Sequence, residues 1–262
     1  MGNIINYLFT NNVAENLRFS KYSHWHWIYL AAIVVFGALL ISIIGKKSGK
    51  DSQRLVKSLA IASVCVHAAF CLSEFFRPGM EIFNVFPFQL CDTSPYLFLL
   101  AVLTKNKTMF AVTFALMIPG GIIAVLTPVS KYNAFGAFSY YVFSFFATHF
   151  FVIFMPLLAI KAGFFTPRRR DFPKVITFAV CYAGLMYTFN KLIGSNYLYL
   201  NYPEKETPLE IAYNYLGNPG YVLPVLFLAI VFILIMLEIA ESAHKRANKT
   251  KEAPKNAERN LN

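Results

Sequence analysis

Charged residues are scarce along this chain. They make up 14% of its 262 residues, against about 25% in a typical soluble domain. Hydrophobic residues make up 57%, so the scarcity excludes an ordinary soluble protein and, equally, a disordered one. A net charge of +11 suits nucleic acid only when it lies on a soluble basic face. We therefore expect a membrane partner and no nucleic acid.

Long stretches with at most one charged residue determine the predicted fold class. A helix needs roughly 20 apolar residues to cross the hydrocarbon core, and snorkelling residues extend the shorter stretches. No stretch shows the sustained alternation of a membrane β-barrel. The sequence predicts an all-α polytopic membrane protein, a bundle of seven transmembrane helices. The predicted helices cover residues 25–45, 55–76, 88–104, 108–126, 139–160, 174–194 and 221–239.

The predicted bundle forms one domain, residues 23–240, with a short segment on either side. Residues 1–22 lack the basic and apolar blocks of a cleavable signal peptide. They are predicted to be a loose tail or a short interfacial helix that uses Ile4, Ile5, Leu8 and Phe9. Residues 241–262 are polar and lack aromatic side chains, so we expect a disordered cytoplasmic tail.

Basic residues are distributed unevenly between the predicted loops. Of the 24 lysines and arginines, 18 lie in the segments 46–57, 105–107, 161–174 and 238–262. Loops rich in lysine and arginine stay in the cytoplasm. The sequence therefore predicts that the N-terminus is outside and the C-terminus inside.

Cysteine is rare, with four residues that all lie inside predicted helices: Cys65, Cys71, Cys91 and Cys181. None forms a closely spaced pair, so neither a disulfide framework nor a zinc site is expected. His24 and His26 flank Trp25, but two histidines without a carboxylate are a weak metal signal. We expect no metal and no cofactor.

Polar side chains inside membrane helices are costly unless paired, so each marks a candidate functional position. Cys91 and His149 are the pair with chemical potential, because a thiolate attacks acyl carbonyls and an imidazole accepts the thiol proton. The alternative is a small core cysteine and a histidine that bridges helices. Further candidates for substrate contact or for orienting the pair are Gln89, Asp92 and Asn190.

The segment Pro119-Gly120-Gly121 allows two interpretations. Glycine lets another backbone or a ligand approach a membrane helix closely. It is therefore either a kinked packing surface or a notch for a lipid chain or headgroup. The tyrosine-rich segment 195–220 is likewise either a lid or a plug packed on the bundle.

Several segments together resemble a known family. They are FPFQLCD at 86–92, PGGIIAVLTP at 119–128, THFFV at 148–152 and GSNYLYLNYP at 194–203. In order and spacing they are similar to the YwaF-like bacterial integral membrane family, relatives of the vertebrate transmembrane protein 164 acyltransferase. His24 fits the N-terminal histidine of that family. Gln89 stands where the family often has a histidine, and an amide cannot act as a base.

The resemblance implies a multi-pass acyltransferase of the bacterial cell membrane that moves fatty acyl chains between phospholipids and lysolipids. It implies that Cys91 is the nucleophile and His149 the catalytic histidine. Asp92, Gln89 or Asn196 would orient His149 or stabilise the oxyanion. In one variant the acceptor attacks directly and Cys91 is structural. Other hypotheses are a transporter or receptor-like protein that binds a small solute or lipid, and a non-enzymatic scaffold.

Overall fold

The computed structural model describes residues 13–75, 85–204 and 207–259. The fold is all-α, with 81% of residues helical and no strand in the described ranges. The interfacial residues predicted between positions 4 and 9 lie outside those ranges. The helices are α1 His24–Lys46, α2 Gly49–Phe75, α3 Leu90–Thr104, α4 Lys107–Leu126, α5 Tyr140–Lys161, α6 Phe172–Ile193, α7 Pro208–Gly220 and α8 Val222–Arg259.

Six of these helices are long and apolar enough to cross a membrane, namely α1, α2, α4, α5, α6 and α8. The prediction of an all-α, multi-pass membrane protein is therefore confirmed. Each of the seven predicted segments is helical, but α3 has only 15 residues. At 1.5 Å per residue it is about 22 Å long, less than the roughly 30 Å of a hydrocarbon core.

Contacts at the helix ends show the directions in which α1, α2, α4 and α5 run. His26, in the first turn of α1, contacts the carbonyl oxygen of Val125 at the end of α4, with Nε2 and oxygen 2.7 Å apart. At the other end of the bundle, Gln53 near the start of α2 donates to Ala162 beyond α5, over 3.4 Å. We call these two ends the His24 end and the Lys46 end. By these contacts α1 and α5 run from the His24 end to the Lys46 end, and α2 and α4 run from the Lys46 end to the His24 end.

The helices at the centre of the bundle are α4 and α5. In their most apolar stretches 61% of residues are buried, against 17% in α1 and 11% in α8. Helix α5 packs against α1, α2, α3 and α4. The outer helices α1, α6 and α8 therefore present most of their apolar side chains to the outside, as helices in contact with lipid do.

Helix α4 contains a π-helical stretch, Thr113–Met117, just before Pro119. Proline has no N–H, so the carbonyl oxygen of Ala115 receives no helical hydrogen bond from position 119. A wider π turn accommodates such an interruption without ending the helix. It brings the following Gly120 and Gly121 against neighbouring helices.

Gly121 is a packing position. A Cβ atom there would lie 2.9 Å from Val152 Cγ1 and 3.1 Å from Ile153 Cγ1 of α5. The space beside Gly121 is thus filled by two stiff, β-branched side chains. At Gly120 the nearest atom to such a Cβ is Leu90 Cδ2, 3.8 Å away. The arrangement favours the packing interpretation for Gly121 and leaves Gly120 facing the start of α3.

Two parts of the chain predicted to lack regular structure form helices. The predicted loop 195–220 contains the short turn Tyr197–Tyr199 and helix α7. Helix α8 continues through the predicted tail to Arg259. A Glu241–Lys245 ion pair one helical turn apart, at 4.0 Å, supports this extension, because a helix already nucleated in the bundle propagates easily.

We expect Gly121→Ala to lower the apparent melting temperature of the purified protein, whereas Gly120→Ala leaves it unchanged or raises it slightly. Overpacking against Val152 and Ile153 costs about 1–3 kcal/mol, more than the roughly 0.5–1 kcal/mol that alanine gains over glycine in a helix. Thermal unfolding in detergent measures both variants. Equal melting temperatures would contradict close α4–α5 packing at Gly121.

Candidate functional site

The start of α3 is partly buried and is held by side chains of neighbouring segments. Gln89 precedes the helix, but its side chain does not cap it; Gln89 Oε1 instead accepts a hydrogen bond from the Leu198 backbone N–H over 2.8 Å. Thr93 Oγ1 donates to the Pro87 carbonyl oxygen over 2.8 Å, and the Tyr182 hydroxyl donates to that of Phe88 over 2.9 Å. Residues 85–89 are irregular, and Thr93 and Tyr182 satisfy two of their backbone carbonyl groups.

Asp92 pairs with His67 on the neighbouring helix α2. His67 Nε2 lies 3.1 Å from Asp92 Oδ1, and the two side chains are 1% and 27% exposed. The Tyr96 hydroxyl lies 3.2 Å from His67 Nδ1. Asp92 and Tyr96 are four residues apart and so share one face of α3. The carboxylate and the phenol thus hold the two ring nitrogens of one imidazole.

Cys71 lies beside the same imidazole, one turn along α2. Its Sγ is 3.7 Å from His67 Nδ1 and 3.9 Å from Nε2. A sulfur on the lone-pair axis of one nitrogen would lie much farther from the other. The nearly equal distances therefore place the sulfur against the side or face of the ring. Cys71 packs on His67, and Tyr96 occupies the direction of the Nδ1 lone pair.

His149 is oriented by its own helix. Its Nδ1 lies 2.7 Å from the Phe145 carbonyl oxygen, and because a carbonyl only accepts, Nδ1 carries the proton. In the neutral ring Nε2 is then the acceptor, and it has no hydrogen bond to any described residue. The ring is 7% exposed and lies within electrostatic range of Asp92 and His67. It is positioned to accept a proton at Nε2.

Cys91 is half-buried in the first turn of α3, and its sulfur makes no hydrogen bond within the described part of the chain. The structure therefore brings Cys91 and His149 to neighbouring helices without joining them directly. Asp92, expected to orient His149, contacts His67 instead. Gln89, expected to serve the same purpose, is occupied by Leu198.

Two hydroxyl groups on α5 are buried without a partner. Ser144 and Thr148 are 1% and 4% exposed, and their oxygens make no hydrogen bond in the described structure. They lie one turn apart, and Thr148 adjoins His149. Buried hydroxyls without a partner are unusual, since each costs about 1–3 kcal/mol. Their presence on the helix that packs against α2 and α3 makes this region polar.

Asn190 anchors the segment that follows α6. It is 1% exposed, donates to the Tyr197 carbonyl oxygen over 2.8 Å and accepts at Oδ1 from the Tyr197 N–H and the Ser195 hydroxyl, each over 2.7 Å. Asn196 is engaged within the loop, where it donates to the Tyr202 carbonyl oxygen. The structure gives Asn190 a place at the end of α6 and Asn196 a place in the loop, and neither has a described hydrogen bond to His149.

Tyr197 closes the region from the loop side. It is 2% exposed and hydrogen-bonds the Phe86 backbone. Its ring contacts Phe88 edge-to-face and Phe189 at a tilt. Burial raises the pKa of Tyr197 to about 12, so the phenol is neutral at physiological pH. The loop is thus packed onto the start of α3, as the plug interpretation expects.

His24 does not join this site. It is exposed at the start of α1, with its ring against Trp25 at a centroid distance of 4.5 Å. His26 is the buried histidine of that region: its Nδ1 accepts from the Tyr22 N–H and its Nε2 donates to Val125. Within the described ranges no group of three or more histidine, cysteine or acidic side chains is arranged to hold a metal ion.

Sequence reasoning did not join His67 and Tyr96 to Asp92. A signal was present, because His67 and Cys71, like Asp92 and Tyr96, are spaced to share a helix face. That spacing does not reveal which two helix faces pack against each other. Only the contact between α2 and α3 shows that these two faces meet.

The fold and the site define a multi-pass helical membrane protein that gathers titratable side chains between α2, α3 and α5. The chain belongs to the TMEM164 family, whose model matches residues 19–237. This confirms the relationship to transmembrane protein 164 that the sequence segments indicate. No curated protein and no solved structure matches the chain.

We expect Asn190→Ala to loosen the loop and lower the melting temperature. The substitution removes three hydrogen bonds and leaves buried groups of Tyr197 unpaired, at about 1–3 kcal/mol each. Chymotrypsin should then cleave after Tyr197 or Tyr199 several times faster than in the unaltered protein. Thr188→Ala, on the exposed side of the same helix, is the control and should change neither property. Unchanged cleavage in Asn190→Ala would show that Asn190 does not anchor the loop.

Proposed function

We propose that this chain is a membrane acyltransferase that moves fatty acyl chains from a phospholipid to a lysolipid. Cys91 is the nucleophile and His149 the base. Membership of the TMEM164 family and the matching segments around Cys91 and His149 support this activity. The observation that carries the proposal is the state of His149: a buried imidazole, fixed by Phe145, whose acceptor nitrogen has no described partner.

The first half of the proposed reaction transfers the acyl group to sulfur. The Cys91 thiol proton passes to His149 Nε2, and the thiolate attacks the ester carbonyl carbon of the donor. The ester C–O bond breaks, and the departing lysolipid oxygen takes the proton from His149. Acyl-Cys91 remains as a thioester, and a lysolipid hydroxyl then displaces the sulfur and regenerates the thiol.

The start of α3 favours this chemistry at Cys91. Cys91 is the second residue of the helix, where backbone N–H groups have no helical partner and the positive end of the helix dipole stabilises negative charge. The same groups are suited to the oxyanion that forms when sulfur attacks a carbonyl. Catalytic hydrogen bonds often form only once substrate is bound, so the donor ester would complete the contact between the thiol and the ring.

The proposal includes a location and an orientation. The protein would lie in the bacterial cell membrane with seven crossings, the N-terminus outside and the C-terminus inside. Two observations support this: the helix directions alternate, and the basic loops cluster at the Lys46 end. Helix α3 would be the seventh crossing, extended by the irregular residues 85–89 that precede it.

Cysteine labelling tests the orientation. In a protein whose native cysteines are replaced by serine, Asn133→Cys should react with a membrane-impermeant maleimide added to intact cells. Lys50→Cys should react only after the membrane is permeabilised. Both positions are exposed and lie at opposite ends of the bundle. The reverse pattern of labelling would contradict the proposed orientation.

Trapping the thioester tests the mechanism. Purified protein mixed with a phospholipid that carries a labelled acyl chain should acquire the label at Cys91 in a form that hydroxylamine removes. Cys91→Ala should abolish labelling, and His149→Gln should slow it about 10²–10⁴-fold, the usual contribution of a general base. Cys181→Ser, which alters an exposed thiol on α6, is the control and should behave as the unaltered protein.

Full transfer activity in Cys91→Ala would remove the thioester route. Loss of activity in His149→Gln together with full activity in Cys91→Ala would instead indicate direct attack by the acceptor, with His149 as its base.

A further inference from the structure

The site contains two imidazoles that are oriented independently. His149 donates from Nδ1 to a backbone carbonyl of its own helix. His67 has its Nε2 on the carboxylate of Asp92. A neutral His67 therefore donates from Nε2, since a carboxylate only accepts, and its Nδ1 is the basic nitrogen. The basic nitrogen is thus Nε2 in His149 on α5 and Nδ1 in His67 on α2.

The two orienting groups suit different proton donors. A carboxylate stabilises the imidazolium that forms when a histidine accepts a proton, as the aspartate of a catalytic triad does. A neutral carbonyl does so much less. A lysolipid hydroxyl is a far weaker acid than a thiol, so its deprotonation needs the better-stabilised base. By this criterion His149 suits the thiol of the first half-reaction, and His67 suits the hydroxyl of the second.

His67 is linked to the helix turn that carries Cys91. Its partner Asp92 follows Cys91 directly in the first turn of α3. His67 Nδ1 already holds one hydroxyl, that of Tyr96 at 3.2 Å. A bound alcohol would either take the place of the phenol or donate to it, and in both cases its proton passes toward Nδ1.

Helix α5, which packs against α2 and α3, carries two hydroxyl groups without a partner. Ser144 and Thr148 are buried, and their oxygens make no hydrogen bond in the described structure. Unpartnered hydroxyls inside a membrane bundle are expensive unless a polar ligand or water satisfies them. The glycerol oxygens of a lysolipid are ligands of this kind.

We propose that His67 is the base that activates the acceptor hydroxyl of a lysophospholipid, with Asp92 as its positioning residue. This inference rests on the proposed function. The acceptor O–H proton passes to His67 Nδ1, directly or through Tyr96, and the oxygen attacks the acyl-Cys91 carbonyl. The C–S bond breaks, a new ester bond forms, and the departing Cys91 sulfur recovers the proton from the imidazolium of His67.

Separating the two half-reactions tests the proposal. Protein loaded from a phospholipid with a labelled acyl chain, in the absence of acceptor, is mixed rapidly with lysophosphatidylcholine. In His67→Gln we expect loading within about threefold of the unaltered protein and discharge to the lysolipid slower by about 100-fold or more, the scale of a lost general base. Thioester should therefore accumulate during turnover. His149→Gln should show the opposite pattern, with slow loading.

Asp92→Asn provides a second variant in case His67→Gln does not fold, as judged by its melting temperature. It keeps the shape of the side chain and removes the charge, so discharge should again slow more than loading. A merely structural contact between α2 and α3 would affect both steps alike. Hydroxylamine, which needs no enzyme base, should release the acyl group equally from every loaded variant. His244→Gln, at the Lys46 end, is the control for the loss of an imidazole.

Discharge at the normal rate in both variants would overturn the proposal, as would equal slowing of loading and discharge. Failure of the unaltered protein to form any thioester would instead reject the proposed function itself. The two failures are therefore distinguishable in one set of measurements.

Discussion

The contact between Asp92 and His67 is the constraint on which the centre of the molecule depends. A carboxylate inside a helical bundle must be hydrogen-bonded, because a polar group without a partner there is costly. His67 Nε2 donates such a hydrogen bond to Asp92 over 3.1 Å. The contact fixes the rotation of α3 relative to α2, and thereby determines where the neighbouring Cys91 lies.

The irregular segment before α3 is supported by several elements. Its carbonyl groups accept hydrogen bonds from Thr93 and Tyr182, and the Gln89 side chain accepts one from the loop beyond α6. Asn190 holds that loop in place. The turn that carries Asp92 therefore has several supporting hydrogen bonds, drawn from segments far apart in the chain.

The sequence predicts the fold class and the approximate helix positions because lipid imposes a simple rule: long uncharged stretches become helices. It predicts the end of α8 poorly, since Glu241 and Lys245 are polar enough to indicate a tail yet spaced to support a helix.

For the candidate site, the sequence identifies Cys91 and His149 because their side chains are of reactive types. The sequence does not predict the contact of Asp92 with His67. Residue spacing shows which side chains share a helix face, but which face of another helix packs against it depends on tertiary structure. Gly121 shows the same limit, since only Val152 and Ile153 reveal what fills its space.

The depth of the cluster has a consequence for the lipid. His67 lies eight residues before the end of α2 and His149 nine residues after the start of α5, so both are about 12–14 Å below the His24 end. That is close to half the thickness of a hydrocarbon core of about 30 Å. A phospholipid ester normally sits at the boundary of that core. In the proposed reaction, a phospholipid donor that reaches Cys91 would therefore sink between the helices and take its glycerol below the level of its neighbours.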